Sequence, residues 1–283
     1  MTWAADRLRL AIAASTHPAQ FEAIAYKGEL EATVAEIAAL GFDGVELAIR
    51  DPALVDADGL TAMIARQGLA VPAIGTGQAY AAEGLCLTSA SADVRRAAVE
   101  RLVSHLPLAA HFDAVVIVGL IGTSTLDGQP VEQAADHLVA GLHEVCERAG
   151  EHGVRLALEP CNRYESALVR TVDAALDVVR RADAPNLGLL LDTFHMNIEE
   201  PSMTESIREA GARIFHVHAA DSNRWHPGAG HLDFAALVDE LRAAGYGGFV
   251  SGEFLPLPDA RTAGERFVAH MRALDREPVG GGS

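Results

Sequence analysis

The sequence predicts a single (β/α)8 barrel, the TIM-barrel fold, and two observations lead to that prediction. Short apolar segments alternate along the whole chain with longer segments of helical periodicity, which is the pattern of parallel βα units. Eight such units fit into 283 residues, and this number and length favour closure of the sheet into a barrel. Since no linker divides the chain, we expect one barrel domain over residues 1–276 and a disordered, glycine-rich tail over 277–283.

The predicted strands are short apolar segments that end at turn residues or at polar side chains. Leu187–Asp192 is the clearest, because it is apolar up to a terminal acid and so is typical of a strand buried on both faces. In chain order the eight strands are Leu8–Ala14, Gly44–Ile49, Val71–Gly75, Ala114–Gly119, Arg155–Glu159, Leu187–Asp192, Ile214–Ala219 and Gly248–Glu253.

Segments rich in Ala, Leu, Glu and Arg lie between these strands and have helical periodicity. Five of them are predicted as helices: Leu30–Leu40, Ser91–Ala110, Val131–Gly150, Thr171–Arg181 and Phe234–Ala244. A glycine follows each of four helical segments, where a left-handed residue commonly ends a helix: Gly41, Gly68, Gly153 and Gly245.

Composition and charge exclude several classes of protein. The formal net charge is −17, which argues against a nucleic-acid partner because a duplex-binding protein needs a basic surface. No apolar segment approaches the roughly 20 residues that cross a membrane, and residues 1–6 lack the pattern of a signal peptide. The three cysteines, Cys86, Cys146 and Cys161, show no CxxC spacing. We therefore expect a cytoplasmic protein without a membrane partner, whose thiols are neither bridged nor bound to zinc.

The last four predicted strands each end in a group that could bind a metal ion: Glu159, Asp192, His218 and Glu253. Consecutive strands of a parallel barrel end side by side on one rim, so three carboxylates there would repel one another. A divalent cation relieves that repulsion, and an oxygen-rich set with one imidazole suits Mn²⁺, Mg²⁺ or Co²⁺. Taken singly, a strand-end acid more often caps a helix and a histidine is usually only hydrogen-bonded. The joint occurrence on four successive strands favours the ion.

Other polar side chains stand close to these candidate ligands. Glu165, His195 and Arg224 follow them by six, three and six residues on the predicted rim loops. A single charged loop residue is usually only solvated, but barrel enzymes bind their substrates on these loops, which favours substrate contact. His216 shares a face of its strand with His218. Because it lies farther from the rim, we expect it to be a buried hydrogen-bonding residue.

Three longer motifs carry these residues: Leu158–Glu165 (LEPCNRYE), Leu191–Glu200 (LDTFHMNIEE) and the segment from Asn223 to Gly230. In these motifs, and in the order and spacing of the candidate ligands, the sequence resembles the xylose isomerase-like TIM barrels. Within them it resembles the D-tagatose/D-psicose 3-epimerases, over essentially the whole chain. The resemblance implies an isomerase, a divalent-metal-dependent epimerase that inverts the carbon next to a ketone through a metal-stabilised enediolate.

The resemblance also implies a role for each site residue. The four strand-end residues would hold the metal, which we expect to be Mn²⁺, with Mg²⁺ or Co²⁺ as alternatives. Glu159 and Glu253 would in addition act as the acid/base pair on opposite faces of the reacting carbon. Arg224, His195 and Glu165 would bind substrate oxygens. We further expect a homo-oligomer, a dimer or a tetramer, that acts in carbohydrate metabolism.

The substrate is expected to be a keto-sugar acid of the 5-keto-L-gluconate/D-tagaturonate type. Its distal carboxylate needs a cation, and a guanidinium fits best, so Arg50, after the second strand, is the main candidate, with Lys27 in reserve and Arg163 third. Relatives that act on neutral sugars typically carry Glu where this chain has Asp221, which disfavours a neutral ketohexose. Several segments are similar to the 5-keto-L-gluconate epimerase branch: Phe21–Leu30, Ile49–Pro52, Ile74–Tyr80, Ala220–Trp225 and Leu255–Pro258.

Four alternatives stay open. The nearest is a ketohexose 3-epimerase of the D-tagatose/D-psicose type. A related sugar isomerase or an inosose dehydratase would share the barrel and the metal, but would move a proton between carbons or expel water. An endonuclease-IV-like DNA repair enzyme is disfavoured by the acidic charge and by the lack of a larger His/Asp cluster. A sugar-binding barrel without catalytic activity would not need two carboxylates flanking the metal.

Overall fold

The predicted (β/α)8 barrel is confirmed in a computed structural model, which describes residues 7–17 and 21–275. The strands are β1 (Arg9–Ser15), β2 (Tyr26–Lys27), β3 (Gly44–Ala48), β4 (Ala73–Gly75), β5 (Val115–Val118), β6 (Leu156–Leu158), β7 (Leu187–Asp192), β8 (Ile214–Ala219) and β9 (Phe249–Gly252). All the pairings are parallel, and β1 pairs with both β3 and β9, which closes an eight-stranded barrel. The two-residue strand β2, which the sequence does not predict, pairs with the end of β1.

The helices surround this barrel. They are α1 (Leu30–Ala39), α2 (Ala57–Arg66), α3 (Gln78–Glu83), α4 (Ala92–Ser104), α5 (Leu106–Phe112), α6 (Leu120–Thr123), α7 (Val131–Glu151), α8 (Val172–Ala182), α9 (Thr193–Glu199), α10 (Met203–Ala210), α11 (Phe234–Ala243) and α12 (Ala260–Arg272). Short 3₁₀ turns cover Pro52–Leu54 and Gly211–Arg213. The four predicted helix-ending glycines have positive φ angles, of 89°, 68°, 67° and 76° in chain order.

The prediction of one helix over Ser91–Ala110 is wrong, because the structure has two helices there. α4 ends at Ser104, and α5 begins at Leu106 with Pro107 in its first turn. A proline has no N–H to donate, and its ring collides with the preceding turn of a continuing helix. The segment keeps helical periodicity on both sides of the break, which is why the pattern alone suggests a single helix.

A small apolar cluster fills the barrel beneath the rim and supports the site. It consists of Ala73, Val115, Ile117, Ala157 and Leu190, all buried. Ala157 and Leu190 lie two residues before Glu159 and Asp192, so each pair shares the inward face of its strand. The polar groups therefore stand on an apolar floor at the carboxyl ends of the strands.

Three further expectations concern the C-terminal tail, the cysteine thiols and the lack of a membrane-spanning helix. The predicted tail, residues 277–283, lies outside the described residues. Cys86, Cys146 and Cys161 are all buried, and none of them forms a disulfide among the described residues. No helix of the described segments is both long and apolar enough to cross a membrane.

Candidate active site

The four predicted ligands meet at the rim of the barrel, on the neighbouring strands β6 to β9. One ligand atom from each of Glu159, Asp192, His218 and Glu253 lies within 4.8 Å of the other three. His218 Nδ1 is 3.7 Å from Glu159 Oε1, 3.8 Å from Asp192 Oδ2 and 3.7 Å from Glu253 Oε2. These separations are too long for hydrogen bonds. The four groups thus converge on one point without bonding to each other.

These residues fit a divalent cation. Asp192 Oδ2 and His218 Nδ1 are buried and have no hydrogen-bond partner, and a buried polar atom without a partner costs stability unless something binds it. Two atoms bound to the same ion at about 2.1 Å can be no more than about 4.2 Å apart, and the three distances from His218 Nδ1 meet this limit. Three carboxylates and one imidazole are donors that suit Mn²⁺ or Mg²⁺.

Asp192 also caps a helix, the role that a strand-end acid more often has. Its Oδ1 accepts a hydrogen bond of 2.7 Å from the backbone N–H of Phe194, at the start of α9. A carboxylate has two oxygens, so Oδ1 holds the side chain in place while Oδ2 stays available in the site. The cap therefore orients Asp192 and does not compete with ion binding.

The two histidines that face the cavity differ in which ring nitrogen lies towards the carboxylate cluster: Nδ1 in His218 and Nε2 in His195. His218 Nε2 lies 3.0 Å from both carboxylate oxygens of Glu46, so Nε2 carries the hydrogen and Nδ1 keeps a lone pair for an ion. His195 Nδ1 accepts hydrogen bonds from Asn162, at 3.3 Å from the backbone N–H and 2.7 Å from the side-chain amide. Its Nε2 therefore carries the hydrogen and can donate to a substrate oxygen.

This assignment argues against an ion at a second cluster. Glu159, Cys161 and His195 are also close enough together to share an ion. However, His195 Nε2 carries a hydrogen and has no lone pair to offer. Burial, together with the nearby carboxylates, raises the pKa of the Cys161 thiol well above its ordinary value, which disfavours the thiolate that would bind a metal.

Arg224 links two of the carboxylates. Its Nη1 donates to Glu165 at 2.7 Å and its Nη2 donates to Glu253 at 3.1 Å. The guanidinium lies between two rings, 5.0 Å from the centroid of Phe21 and 4.6 Å from that of Phe194. Burial disfavours the charged form, but the surrounding carboxylates outweigh burial and raise the pKa of Arg224. Arg224 is therefore a fixed cation that holds Glu253 in place.

Asp221 is hydrogen-bonded to the backbone of its own loop. Its buried carboxylate accepts backbone N–H hydrogen bonds from Ser222 at 2.7 Å, Gly228 at 2.9 Å and Leu232 at 3.1 Å. It is not among the residues that line the cavity. The side chain therefore organises the loop that carries Arg224, and the inference that Asp221 disfavours a neutral ketohexose stays a prediction.

Glu253 is the carboxylate with the most perturbed acidity in the cluster. Burial raises its pKa to about 8, the charges of Glu159 and Asp192 add to this rise, and His218 and Arg224 oppose it. A carboxyl group of this kind can hold a proton at neutral pH and release it. A divalent cation bound beside it would lower this pKa.

A cavity of about 390 Å³ opens above the cluster and is lined by seven of the nine residues predicted for the site. Glu159, Glu165, His195, His218, Arg224 and Glu253 line it, and so does Arg50. Asp192 lies just beneath it. Lys27 is exposed and does not line the cavity, while Arg163 is exposed and paired with Glu199 at 2.8 Å.

Arg50 is available for an anionic ligand. Its Nε is buried without a hydrogen bond and lies 3.8 Å from Glu83 Oε1. Glu83 is already held by Arg101, which donates to both of its oxygens at 2.9 Å. Of the described residues that line the cavity, Arg50 and Arg224 are the only arginines or lysines, and Arg224 is occupied by carboxylates.

Two residues of the site were missed by the sequence reasoning. Glu46 contacts His218, and Asn162 orients His195. Glu46 is an acid inside the otherwise apolar strand Gly44–Ala48, and a charged residue within a buried strand is a signal that could have revealed it. Asn162 lies in the motif that contains Glu159, but an amide in a loop carries no comparable signal.

Comparisons with known proteins agree with this fold. A family model described as “Xylose isomerase-like TIM barrel” matches residues 34–273. The L-ribulose 3-epimerase of Mesorhizobium japonicum is 36% identical over 239 residues, which cover 84% of this chain and 79% of that protein. The 3-dehydro-D-guloside 4-epimerase of Escherichia coli is 37% identical over 102 residues, 36% of this chain and 39% of that protein. The solved structure of an L-ribulose 3-epimerase superposes with a TM-score of 0.78 at 32% sequence identity. The match covers 94% of this chain and 92% of that protein.

Proposed function

This chain belongs to the xylose isomerase-like TIM barrel family, as its sequence predicts, and on that basis we propose that it is a divalent-metal-dependent sugar epimerase that inverts the carbon next to a ketone. The observation that carries the proposal is the position of two glutamates. Glu159 and Glu253 follow β6 and β9, on either side of Asp192 and His218, and both line the same cavity. A binding protein would need the ion-holding groups but not a pair of proton-carrying carboxylates around them.

The ion would be held by Glu159, Asp192, His218 and Glu253. When bound, it supplies positive charge that stabilises the negative charge developing on the substrate oxygens as the neighbouring carbon loses its proton. Mn²⁺ is the ion we propose, because the donor set is mostly oxygen with one imidazole.

The two glutamates move the proton. One, as a carboxylate, removes the proton from one face of the carbon, and the other, as a carboxylic acid, gives a proton to the opposite face, which inverts the centre. After one inversion the first glutamate carries the proton and the second is ionised, so the pair is set for the reverse reaction. Exchange with water restores the starting state.

The neighbouring polar groups orient these two acids and the substrate. Arg224 contacts Glu253 and Glu165 and thereby fixes the direction of the Glu253 carboxyl group. His195 carries a hydrogen on Nε2. This nitrogen lies 3.8 Å from Glu159 Oε1, next to the proposed ion site. It can therefore donate to a substrate oxygen without competing for the ion. Glu165 can accept from a substrate hydroxyl.

We propose further that the substrate is a keto-sugar acid of the 5-keto-L-gluconate/D-tagaturonate type. The support is Arg50, which lines the cavity and has an Nε without a hydrogen-bond partner. An arginine fork binds both oxygens of a carboxylate, which a neutral hydroxymethyl group cannot match. The Lys27 side chain, the reserve candidate, is exposed and outside the cavity lining.

A second candidate is a ketohexose 3-epimerase, favoured by the relative named for a 3-epimerase that aligns with 84% of this chain. Its substrate would leave Arg50 facing solvent or a hydroxyl group. The two candidates share the ion, the two glutamates and the inversion, and differ in what lies at the far end of the sugar.

Incubating the Mn²⁺-loaded protein with neutral ketohexoses and with keto-hexuronates, and following the epimers by chromatography, tests both parts of the proposal. We expect epimerisation of at least one keto-sugar, with higher kcat/KM for the uronates. Faster conversion of the neutral ketohexoses would replace the keto-acid with the second candidate. Failure of every keto-sugar, with the ion bound, would overturn the epimerase itself.

A further inference from the structure

A buried carboxylate lies behind the proposed ion site and holds two histidines. Glu46, on β3, crosses the interior of the barrel to reach His216 and His218, both on β8. His216 Nε2 is 2.8 Å from Glu46 Oε2, and His218 Nε2 is 3.0 Å from both oxygens of Glu46. All three side chains are at most 2% exposed. Nothing in the proposed proton transfer uses Glu46, so its presence in the interior needs another explanation.

The contact with Glu46 decides which nitrogen of His218 is free. A carboxylate only accepts hydrogen bonds, so the His218 nitrogen beside it must carry the hydrogen. The other nitrogen, Nδ1, faces Glu159, Asp192 and Glu253 and makes no hydrogen bond to any of them, so it is the nitrogen that can offer a lone pair to an ion. Without an acceptor behind Nε2 the ring could place its hydrogen on Nδ1, where the carboxylates would attract it and block an ion.

Glu46 also adds a negative charge close behind the ion. A carboxylate that accepts from the far nitrogen of a metal-binding imidazole raises the basicity of that imidazole and fixes its ring plane. The T-shaped contact between the rings of His216 and His218, with centroids 5.4 Å apart, lets both donate to the same carboxylate from different directions. His216 thus helps to hold Glu46 in place.

We propose that Glu46 is a positioning residue that fixes the Nε2–H form of His218 and strengthens ion binding at Nδ1. The inference rests on the proposed ion site, and it assigns Glu46 no contact with the substrate's reacting carbon. It also excludes an ion between Glu46, His216 and His218, although these groups are close enough to share one. The two imidazole N–H groups donate to Glu46 and leave no lone pair on that side.

Binding of Mn²⁺ to the purified protein, measured by the loss of the electron paramagnetic resonance signal of free Mn²⁺, tests this role without any assay of activity. We expect one ion per chain in the wild type. In Glu46→Gln, which keeps the shape but loses the charge and one acceptor oxygen, we expect the Kd for Mn²⁺ to rise by roughly 10- to 100-fold, the usual effect of losing such a partner. An unchanged Kd would overturn the proposal, and so would two ions per chain.

Two control variants separate this role from a general effect on the core or on the charge of the protein. His216→Gln disturbs the same buried cluster but keeps a side-chain N–H donor for Glu46, so the Glu46–His218 contact should remain and the Kd should stay within about threefold of the wild type. Glu100→Gln removes one negative charge at an exposed position and should have no effect. An equal loss of affinity in His216→Gln and Glu46→Gln would mean that the cluster matters only for packing.

Nuclear magnetic resonance of ¹⁵N-histidine-labelled protein with Mg²⁺ bound gives a second readout. We expect the His218 ring to carry its hydrogen on Nε2 in the wild type, and hydrogen on Nδ1 would overturn the proposal.

If Glu46→Gln does not fold, Glu46→Asp keeps the charge but withdraws the carboxylate by one methylene, and its Kd should also rise. Wild-type protein that binds no Mn²⁺ would overturn the ion site and this inference together, whereas equal binding by wild type and variant would overturn the inference alone.

Discussion

At the scale of single residues, hydrogen-bond partners separate groups of the same chemical type into different roles. His218 and His195 both face the cavity, but Glu46 leaves His218 Nδ1 free for an ion and Asn162 leaves His195 with a donor. Glu253 and Glu165 share a partner, Arg224, and differ in position instead. Only Glu253 belongs to the group of four that could share an ion.

Substitution of Glu253 by glutamine should separate proton removal from inversion. The amide can still bind an ion through its oxygen but cannot carry a proton, so we expect epimerisation to fall by about 10²- to 10⁴-fold. If Glu159 removes the proton, exchange of the substrate hydrogen for deuterium in D₂O should continue without inversion, as seen by NMR. Glu165→Gln is the matched control, and it should slow exchange and inversion by similar factors. Normal epimerisation by Glu253→Gln would remove Glu253 from the mechanism.

Substitution of Arg50 by alanine should discriminate between the two candidate substrates. Loss of a charge-assisted hydrogen bond is worth about 1.5–3 kcal/mol, so kcat/KM for a keto-hexuronate should fall roughly 10- to 100-fold. The value for the matching neutral ketohexose should change much less. Lys27→Ala, which removes an exposed cation outside the cavity, should leave both values unchanged. Equal losses on both substrates in Arg50→Ala would assign Arg50 to the fold.

Most residues of the candidate site could be predicted from their type and from their position at strand ends. The hydrogen bonds that orient these side chains could not be predicted. Charged groups at strand ends are visible in a sequence, because an acid interrupts an apolar segment, as at Asp192. The partner of His218 is Glu46, 172 residues away along the chain, and only the closed barrel brings them together. The contacts of Asp221 could not be predicted for a different reason: its partners are backbone N–H groups of its own loop, and the path of a loop is not visible in the sequence.

At the scale of secondary structure, the loop after β8 positions Arg224, and it is held by Asp221. Arg224 has a positive φ angle of 60°, which is uncommon for a residue with a side chain. Its N–H donates to Asp221 O at 2.8 Å, and its carbonyl accepts from Leu255 N at 2.8 Å. A backbone held at both ends in this way directs the guanidinium towards Glu165 and Glu253.

A methyl group at Gly230 should disturb this loop and thereby the site. A Cβ there would lie 2.2 Å from Asp221 Oδ1 and 2.5 Å from Ser222 Oγ, so the carboxylate must move. We expect Gly230→Ala to lower kcat/KM roughly tenfold or more, as a displacement of about 1 Å in a positioning group can do. The control is Gly150→Ala in α7, where a Cβ meets nothing within 4 Å and helix propensity improves. An activity of Gly230→Ala equal to that of the control would show that the loop does not position Arg224.

The boundaries of the secondary structure were predicted best where the pattern is unambiguous. The strands Leu187–Asp192 and Ile214–Ala219 have the predicted bounds, because each is a six-residue, mostly apolar segment that ends at a clear change of residue type. The break between α4 and α5 and the short strand β2 were missed. Helical periodicity continues across the break at Pro107, and a two-residue strand has no periodicity to detect.

At the scale of the whole molecule, the site concentrates negative charge in a protein that is already acidic. The chain has a formal net charge of −17, and three carboxylates of the cluster lie in the barrel mouth. This field attracts a divalent cation and opposes an anionic substrate. A keto-acid would therefore depend on local cations, which among the residues lining the cavity are Arg50 and Arg224.

Removal of the ion should lower the stability of the whole barrel. An ion that binds only the folded state adds about 2.7 kcal/mol at 100 times its Kd, which for a chain of this size corresponds to a change in Tm of about 5 °C. Calorimetry with Mn²⁺ and with excess chelator measures this difference. Asp192→Asn should abolish most of the gain, because it weakens the ion site. Equal Tm values for the wild type in both conditions would contradict an ion site at the barrel mouth.

The central claim is that two glutamates invert a carbon next to a ketone by moving its proton, and one measurement tests it most directly. The Mn²⁺-loaded protein is incubated in D₂O with a keto-sugar that it converts, and the product is examined by NMR. We predict one deuterium at the inverted carbon for each product molecule and none at other carbons, because the acid that returns the proton exchanges with solvent. An inverted product without deuterium, or deuterium at the neighbouring carbon of an aldose, would contradict the claim.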